Sequence, residues 1–453
     1  MHDLSTTLAA VATPPGRGGI GCLRISGPDA FAIAAKLFSG RGVLTLPGDG
    51  RPRFGTFLDE DANELDHGYL VAFAPGGAYT GEPTVELWTH GSPPVLEAMA
   101  RAAVLRGAVP AGPGEFTYRA LRRGRLDLNR AEAVRDLIAA RTVYQARVAF
   151  RQLEGAAARR LAPLRAALVD LVAAGEAAIE FADDAETHLA TGALAAGIAS
   201  ALVAARALLA EARRGRIVRA GARVALSGMT SVGKSSIFNR LLGRDRAIVS
   251  PVAGTTRDTL EETFDLAGIP VTVIDTAGVR PALDEVEAEG VRRARAAAGE
   301  ADLVILVLEA GRGLHPDERD ALAERRSEGA SPSIIVANKL DLAADGRWDA
   351  QVPGAIPVSA LTGRGLPELR EAIRAALCGT ALLEHPVLAN ERQVAALQET
   401  VAALESAEGA LPLGEDLVLE DLRAALHAMG ELAGEFGSDD LYDRIFSTFC
   451  IGK

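Results

Sequence analysis

The chain has 453 residues, too many for one ordinary core and enough for about three domains. Charged residues at 24% and hydrophobic ones at 48% describe a globular protein with ample core material. The formal charge of −12 excludes a generic nucleic-acid coat, since that needs Lys and Arg to neutralise phosphates; a nucleic-acid partner would require a local basic patch or a helper protein.

The opening, MHDLSTTLAAVATPPGRGG, lacks a basic stretch leading into an apolar one, and no run of about 18 apolar residues follows. The expectation is a cytoplasmic protein with neither secretory leader nor membrane span. Three cysteines (Cys22, Cys378, Cys450) are odd in number and far apart, as free thiols in a reducing compartment are. Residues 1–118 mix Gly, Pro and short alternating runs such as GCLRIS, YLVAF and TVELWTH, predicting a small α/β or α+β domain. From 119 to 216 the texture becomes Ala/Leu/Arg-rich with apolar residues three and four apart, predicting long amphipathic helices.

Between 217 and 380, strand-like runs (RVALSG, PVTVID, DLVILVL, SIIVAN, AIPVSA) alternate with helical ones, as in a mostly parallel sheet flanked by helices. Residues 381–453 return to helix. The predicted fold is therefore multidomain: an N-terminal α/β domain, a discontinuous helical domain (119–216 plus 381–453), and an inserted P-loop α/β domain (217–380).

The insert carries the clearest chemistry. GMTSVGKSS, Gly228 to Ser236, matches G-x-x-x-x-G-K-[ST] between a strand and a helix. Its residues Ser231, Val232, Gly233, Lys234, Ser235 and Ser236 form a predicted phosphate cradle, with backbone N–H groups closing on phosphate oxygens at a helix N-terminus. Lys234 would reach the β- and γ-phosphates, and the Ser235 hydroxyl would ligate Mg²⁺.

In AGTTRD, Thr255 or Thr256 would reach the same Mg²⁺ from a switch loop. VIDTAG ends a strand at Asp275 and continues through Thr276 and Ala277 to Gly278, whose N–H is placed to sense the γ-phosphate. IVANKLD supplies Asn338, Lys339 and Asp341, and VSAL supplies Ser359 and Ala360. A carboxylate at Asp341 accepts from N1–H and the 2-amino group of guanine, donors that adenine lacks, so the nucleotide is GTP. The position that holds a water-orienting Gln in Ras-like enzymes is Val279. Asp284, Glu285, Glu287 and Glu289 follow it, and by local sequence they read as a solvated helix start favoured by the dipole.

The chain stops at FCIGK. A Cys four positions from the end raises prenylation, but Gly452 and Lys453 fit that signal badly.

Taken with the GTPase motifs, the segments ATPPGRGGIGCLRISGP, YTGEPTVEL, GPGEFTYRALRRGRLDLNRAEAVRDLI, AIVSPVAGTTRD, DTAGVR and SDDLYDRIFSTFCIGK resemble the MnmE (TrmE) family of tRNA modification GTPases across nearly the whole chain. The resemblance implies a homodimer built through the N-terminal domain, which binds 5,10-methylene- or 5-formyl-tetrahydrofolate. It implies a flavoprotein partner of the MnmG (GidA) type in a heterotetramer, FAD and NADH entering only through that partner. It implies installation of an aminomethyl or carboxymethylaminomethyl group at C5 of the wobble uridine (U34) of certain tRNAs, with no membrane involved.

By matching positions, folate contacts would be Arg24, Glu86, Arg125 and Lys453, with Arg125 standing where the family usually has Lys. Cys450 would bring a thiol, and Lys453 an ammonium, to the modification chemistry. The resemblance further implies K⁺-dependent hydrolysis activated by G-domain dimerisation, with K⁺ ligated by Ser231, Ser250, Val252 and Thr255 and Ser250 also touching the nucleotide. Glu287 would orient the water. Ser231 departs from the usual Asn, offering its oxygen on a shorter arm.

Two other readings compete. A ribosome-assembly switch would need an appended RNA-binding domain with a basic face, and none is visible. A folate-binding scaffold without turnover would follow only from the departures at Ser231 and Arg125.

Overall fold

The computed structural model describes residues 3–40, 48–180, 187–243, 261–275, 301–326, 332–343, 352–378, 387–434 and 439–452. These form two compact units: Met1–Arg135 with Leu153–Ala158 and Gly430–Lys453, and Asp136–Gln152 with Arg159–Met429.

The first unit is built on a seven-stranded sheet. Its strands are β1 (Leu8–Val11), β2 (Gly18–Ser26), β3 (Phe38–Gly40), β4 (Arg53–Leu58), β5 (Glu64–Phe73), β6 (Thr84–Gly91) and β7 (Val109–Pro110), in the order β3-β4-β5-β6-β2-β1-β7. Only β1 with β7 is parallel. Alternation sorts the faces: Leu23, Ile25, Leu70, Ala72, Val85 and Leu87 point one way and are buried under α1 (Ala30–Leu37) and α2 (Pro93–Leu105), where Ile33, Leu37 and Met99 meet them. The opposite face carries Phe54, Tyr69 and Trp88, register neighbours across β4, β5 and β6 and all exposed.

After β7, α3 (Glu115–Arg122) fills the end of this unit, followed by α4 (Leu128–Ala139). The fully buried Arg119 of α3 donates to the Thr6 carbonyl (2.6 Å), the Asp3 carbonyl (3.0 Å) and Glu82 Oε2 (3.2 Å). One guanidinium thus ties the N-terminal segment to the loop before β6. Tyr118 on the same helix stacks edge-on against Phe446 (centroids 5.5 Å apart), which anchors the C-terminal helix Asp439–Phe446. Gly114 holds φ +66° there, and a Cβ would come within 2.9 Å of both Phe446 and Phe449.

The second unit has a six-stranded sheet of β8 (Ala222–Ser227), β9 (Glu261–Leu266), β10 (Ile269–Asp275), β11 (Leu303–Glu309), β12 (Ser333–Asn338) and β13 (Ile356–Pro357), in the order β13-β12-β11-β8-β10-β9. All neighbours are parallel except β9 with β10. LVILVL of β11 is buried throughout, as a strand covered on both faces must be. The run AIPVSA shortens to a two-residue edge strand, Ile356–Pro357, where a proline is tolerated because its N position faces away from β12 and Val358 N still donates to the Ala337 carbonyl (2.8 Å).

Helices α5 (Val143–Leu153), α6 (Ala156–Glu180) and α7 (Thr187–Ala220) come before this sheet in the chain, and α7 runs beside the helix Glu391–Ala410. By length and composition alone, Gly192–Ala220 is long and apolar enough to cross a membrane. Its buried residues Leu194, Ile198, Ala201, Leu202, Ala205, Leu208 and Ala212 recur at helical spacing, and a soluble core helix passes the same test.

Within this unit α5 is pinned by its first turn. Thr142 and Gln145 form a reciprocal cap, Gln145 N donating to Thr142 Oγ1 (3.1 Å) and Thr142 N to Gln145 Oε1 (3.2 Å). The Gln145 amide then donates to the last carbonyls of α7, Val218 (3.0 Å) and Arg219 (2.9 Å). Thr142 Oγ1 donates to the Gly268 carbonyl (2.6 Å) at the tip of the β9–β10 hairpin. That tip is the pair Ala267 (φ +52°) and Gly268 (φ +96°), both left-handed as a two-residue hairpin turn of this hand demands.

A Cβ on Gly268 would lie 2.5 Å from Tyr144 Cβ. Gly268→Ala is therefore expected to cost about 2–4 kcal/mol from strain plus overpacking. Ala267→Asn, which suits a left-handed residue, should gain about 0.5–1 kcal/mol. Thermal denaturation of the two variants checks the opposite signs.

Candidate functional site

The phosphate loop joins β8 to α8 (Lys234–Leu242) at the C-terminal edge of the parallel strands. Both its glycines are required by space and conformation. Gly228 (φ +140°) would place a Cβ 2.3 Å from the Val307 carbonyl, and Gly233 (φ +96°) would place one 2.2 Å from the Asn338 amide. Ser231 also holds φ +66°, a region that Asn enters more readily than Ser. Lys234 is buried at the start of α8, its ammonium donating to the Gly228 and Met229 carbonyls (2.7 Å each) at the mouth of the loop.

Asn338, at the end of β12, joins three loops. Its Nδ2 donates to the Val232 carbonyl (2.8 Å), and its Oδ1 accepts from Ala360 N (3.1 Å). The Ser359 hydroxyl donates to Asp341 Oδ1 and accepts from Thr362 N (3.1 Å), fixing the carboxylate's orientation. Lys339, at φ +64°, pairs with Glu309 Oε2 (3.0 Å) at the end of the neighbouring β11. Gly233, Ser236, Asn338, Lys339, Asp341 and Ala360 line one open cleft of about 600 Å³ with Asn239, Arg240, Leu342 and Leu361. A loop of N–H donors at a helix N-terminus, beside an oriented carboxylate, suits a guanine nucleotide.

In the first unit, Arg24 of β2 faces Glu86 of β6 in register. Its Nε and Nη2 donate to Glu86 Oε1 (3.0 and 2.8 Å), while Nη1 donates to the Gly452 carbonyl (3.1 Å). The Trp88 indole donates to the other Glu86 oxygen (3.2 Å), and Arg24 lies over the Phe116 ring. Arg24, Glu86 and Arg125 line a cavity of about 270 Å³ with Phe73, Tyr79, Thr80 and Thr84. Burial pushes the Tyr79 phenol above its ordinary pKa, against the hydrogen bond from Thr117 that favours ionisation.

The C-terminal tail is held through backbone contacts: Ile451 bridges Pro113, and Gly114 N donates to the Cys450 carbonyl (3.3 Å). Gly452 (φ +93°) approaches β1 so closely that a Cβ would be 2.5 Å from the Val11 carbonyl. Cys450 is exposed, not the small buried hydrophobe that a free Cys often is.

A family profile described as MnmE helical domain matches residues 128–450, and one described as GTP-binding protein TrmE N-terminus matches residues 7–125. The tRNA modification GTPase MnmE of Koribacter versatilis is 42% identical over 465 residues, 100% of both chains. The chain belongs to the MnmE tRNA modification GTPases. The Thermus thermophilus member is likewise 42% identical, over 100% of both chains. Among solved structures, the G domain of the T. maritima FeoB iron transporter is 28% identical over 34% of this chain and 98% of its own, with a TM-score of 0.26.

As in the family, an N-terminal TrmE domain accompanies a helical domain and a P-loop G domain. Of the residues expected at the MnmE nucleotide site, the structure brings Gly233, Ser236, Asn338, Lys339, Asp341 and Ala360 to the cleft, with Lys234 and Ser359 bonded beside it. Ser231, Val232 and Ser235 lie in the same loop and first helical turn, and Asp275 ends β10 at the same sheet edge. Ser250, Val252, Thr255, Thr256, Thr276, Ala277, Gly278, Val279, Asp284, Glu285, Glu287, Glu289 and Lys453 lie outside the described residues.

Sequence reasoning missed Arg240, whose guanidinium donates to the Ala360 carbonyl (2.8 Å) and to Leu361, and it missed Glu309. Both contacts join elements distant in sequence, and neither residue falls in a motif. Tyr79 stands within YTGEPTVEL but carried no chemical signal of its own.

Replacing Asp341 by Asn turns an acceptor pair for N1–H and the 2-amino group into an acceptor and a donor. GTP affinity should fall about a hundredfold, the loss of about 3 kcal/mol of charged hydrogen bonding, and xanthosine triphosphate should gain. Equilibrium binding of both nucleotides to the variant decides this.

Proposed function

We propose that this chain hydrolyses GTP to drive the addition of an aminomethyl or carboxymethylaminomethyl group to C5 of the wobble uridine of certain tRNAs, in the cytoplasm and with a flavin-dependent MnmG-type partner. The observation that carries the reading is the joint at Arg24, which holds Glu86 with one side of its guanidinium and the tail carbonyl of Gly452 with the other. It ties the tail that carries Cys450 to Arg24, a residue of the cavity wall. That cavity, lined by two cations, a carboxylate and aromatic rings, suits the polar bicyclic head of a tetrahydrofolate. FAD and NADH belong to the partner, in a heterotetramer.

For the G domain, the P-loop N–H groups and Lys234 hold the phosphates, and the Asp341 carboxylate selects guanine. Ser235 and Thr256 would hold Mg²⁺, which when bound neutralises charge on the phosphate oxygens. Ser231, Ser250, Val252 and Thr255 would hold K⁺, and Glu287 would orient the attacking water. Ser231 fits its part in backbone geometry, since its left-handed conformation matches a position where Asn is at ease. A homodimer would bury the Phe54, Tyr69 and Trp88 ladder, an exposed aromatic strip on the sheet face opposite α1 and α2.

Arg24→Ala tests the folate reading. Binding of 5-formyl-tetrahydrofolate should weaken tenfold to about a hundredfold, and wobble-uridine modification, read by nucleoside mass spectrometry, should be lost while GTP turnover persists. Unchanged folate affinity would sink it.

GTP turnover in K⁺ against Na⁺ at equal ionic strength tests the hydrolysis mechanism, with sedimentation of the same samples reporting the dimer. K⁺ should stimulate, Glu287→Ala should lower kcat at least about a hundredfold, and Ser231→Asn should raise K⁺ affinity. Equal rates in both salts would remove K⁺ from the mechanism.

A further inference from the structure

The chain is acidic overall, yet residues 137–153 contain Arg141, Arg147 and Arg151 and no Lys, Asp or Glu. Most of that stretch is α5, which divides cleanly into two faces. Gln145, Val148, Ala149 and Gln152 are buried, and Val148 joins the apolar core beneath the six-stranded sheet. Val143, Arg147, Phe150 and Arg151, at i, i+4, i+7 and i+8, form the opposite face and are exposed, Val143 by 69% and Phe150 by 51%. Arg141 is exposed just ahead of the helix.

The side chains of these three arginines make no ion pair or hydrogen bond with any described residue. Exposed arginines on the longer helices differ: Arg206 pairs with Glu405 and Arg423 with Glu176, each at 2.8 Å or closer.

We propose that the outer face of α5 is a contact surface for the tRNA substrate, Arg141, Arg147 and Arg151 meeting backbone phosphates and Phe150 stacking on an unpaired base. The proposal rests on the reading of tRNA as the substrate. Arginines without acid partners are free to displace phosphate counterions, the effect that dominates affinity for nucleic acids. An exposed ring between two arginines on one face provides a stacking platform of the kind single-stranded RNA elements use.

The surface is rigid before RNA arrives, because the caps from Thr142 and Gln145 and the Gln145 bonds to Val218 and Arg219 hold α5 from behind. Little ordering cost then opposes binding. An acidic chain thereby acquires the local basic patch that its net charge made necessary.

The test measures binding of an unmodified tRNA transcript to the full-length protein by fluorescence anisotropy across a KCl series. The variants are Arg147→Gln with Arg151→Gln, Arg147→Lys with Arg151→Lys, and Phe150→Ala. The Gln pair should weaken binding at least about tenfold near 0.1 M salt and lower the log–log salt slope by about 2, while the Lys pair keeps the slope. Phe150→Ala should weaken binding about fivefold or more with the slope unchanged, as loss of one stacked base does.

Unaltered GTP turnover in each variant certifies the fold. Unchanged affinity and slope in the Gln pair would overturn the assignment, as would a Gln pair that binds tRNA normally but no longer co-sediments with the flavoprotein, which would make the face a protein interface. Absence of tRNA binding by the unsubstituted chain also overturns it. Wobble-uridine modification in the complete reaction then tells whether the substrate reading survives.

Discussion

One buried amide holds the nucleotide site together. Asn338 donates to the phosphate loop at Val232 and accepts from the base-side loop at Ala360, so three chain segments that share no secondary structure keep a fixed spacing. The glycine at 233 is forced by the same contact, because any Cβ there would occupy the place of the Asn338 amide. Asp341 and Lys339 inherit their positions from this clasp, the carboxylate oriented by Ser359 and the ammonium held by Glu309. An amide that is buried and satisfied at both its oxygen and its nitrogen rigidifies the site without importing a charge that would have to be neutralised.

The first unit solves a comparable problem with charge. Arg119 is fully buried and draws two carbonyls and the Glu82 carboxylate around it, which fixes the loop carrying Thr80 and Thr84 into the cavity wall. Arg24 then uses its planar fork twice, on Glu86 and on the tail carbonyl of Gly452, a geometry that a lysine's point charge could not reproduce. The tail is thereby tied to one residue of the cavity wall, with the glycine at 452 required where it passes β1. Cys450 stays exposed, accessible to chemistry in a way that a packed thiol is not.

Much of this was legible in the linear chain. The phosphate loop and base-recognition runs are contiguous, and their function depends on local backbone conformations that glycine and short polar residues announce. The sheet of the second unit was readable because a strand buried on both faces, such as LVILVL, must be apolar throughout. Gly192–Ala220 is apolar enough for a span by composition, and composition does not distinguish a span from a core helix packed along one stripe. The strand expected in AIPVSA is only the two residues Ile356–Pro357 at the sheet edge.

By itself, then, the sequence determined the nucleotide chemistry, the multidomain layout and the family, since each rests on short-range patterns or on likeness along the whole chain. Tertiary structure alone decided what meets across long separations: Arg24 with Gly452, 428 residues away, Arg240 with the carbonyls of Ala360 and Leu361, and Thr142 with the hairpin tip at Gly268. It also decided which arginines are paired and which, on α5, have no partner among the described residues. The reason is physical. A side chain's partner is set by how whole elements pack against one another, a sum over many weak contacts that no local window of sequence contains.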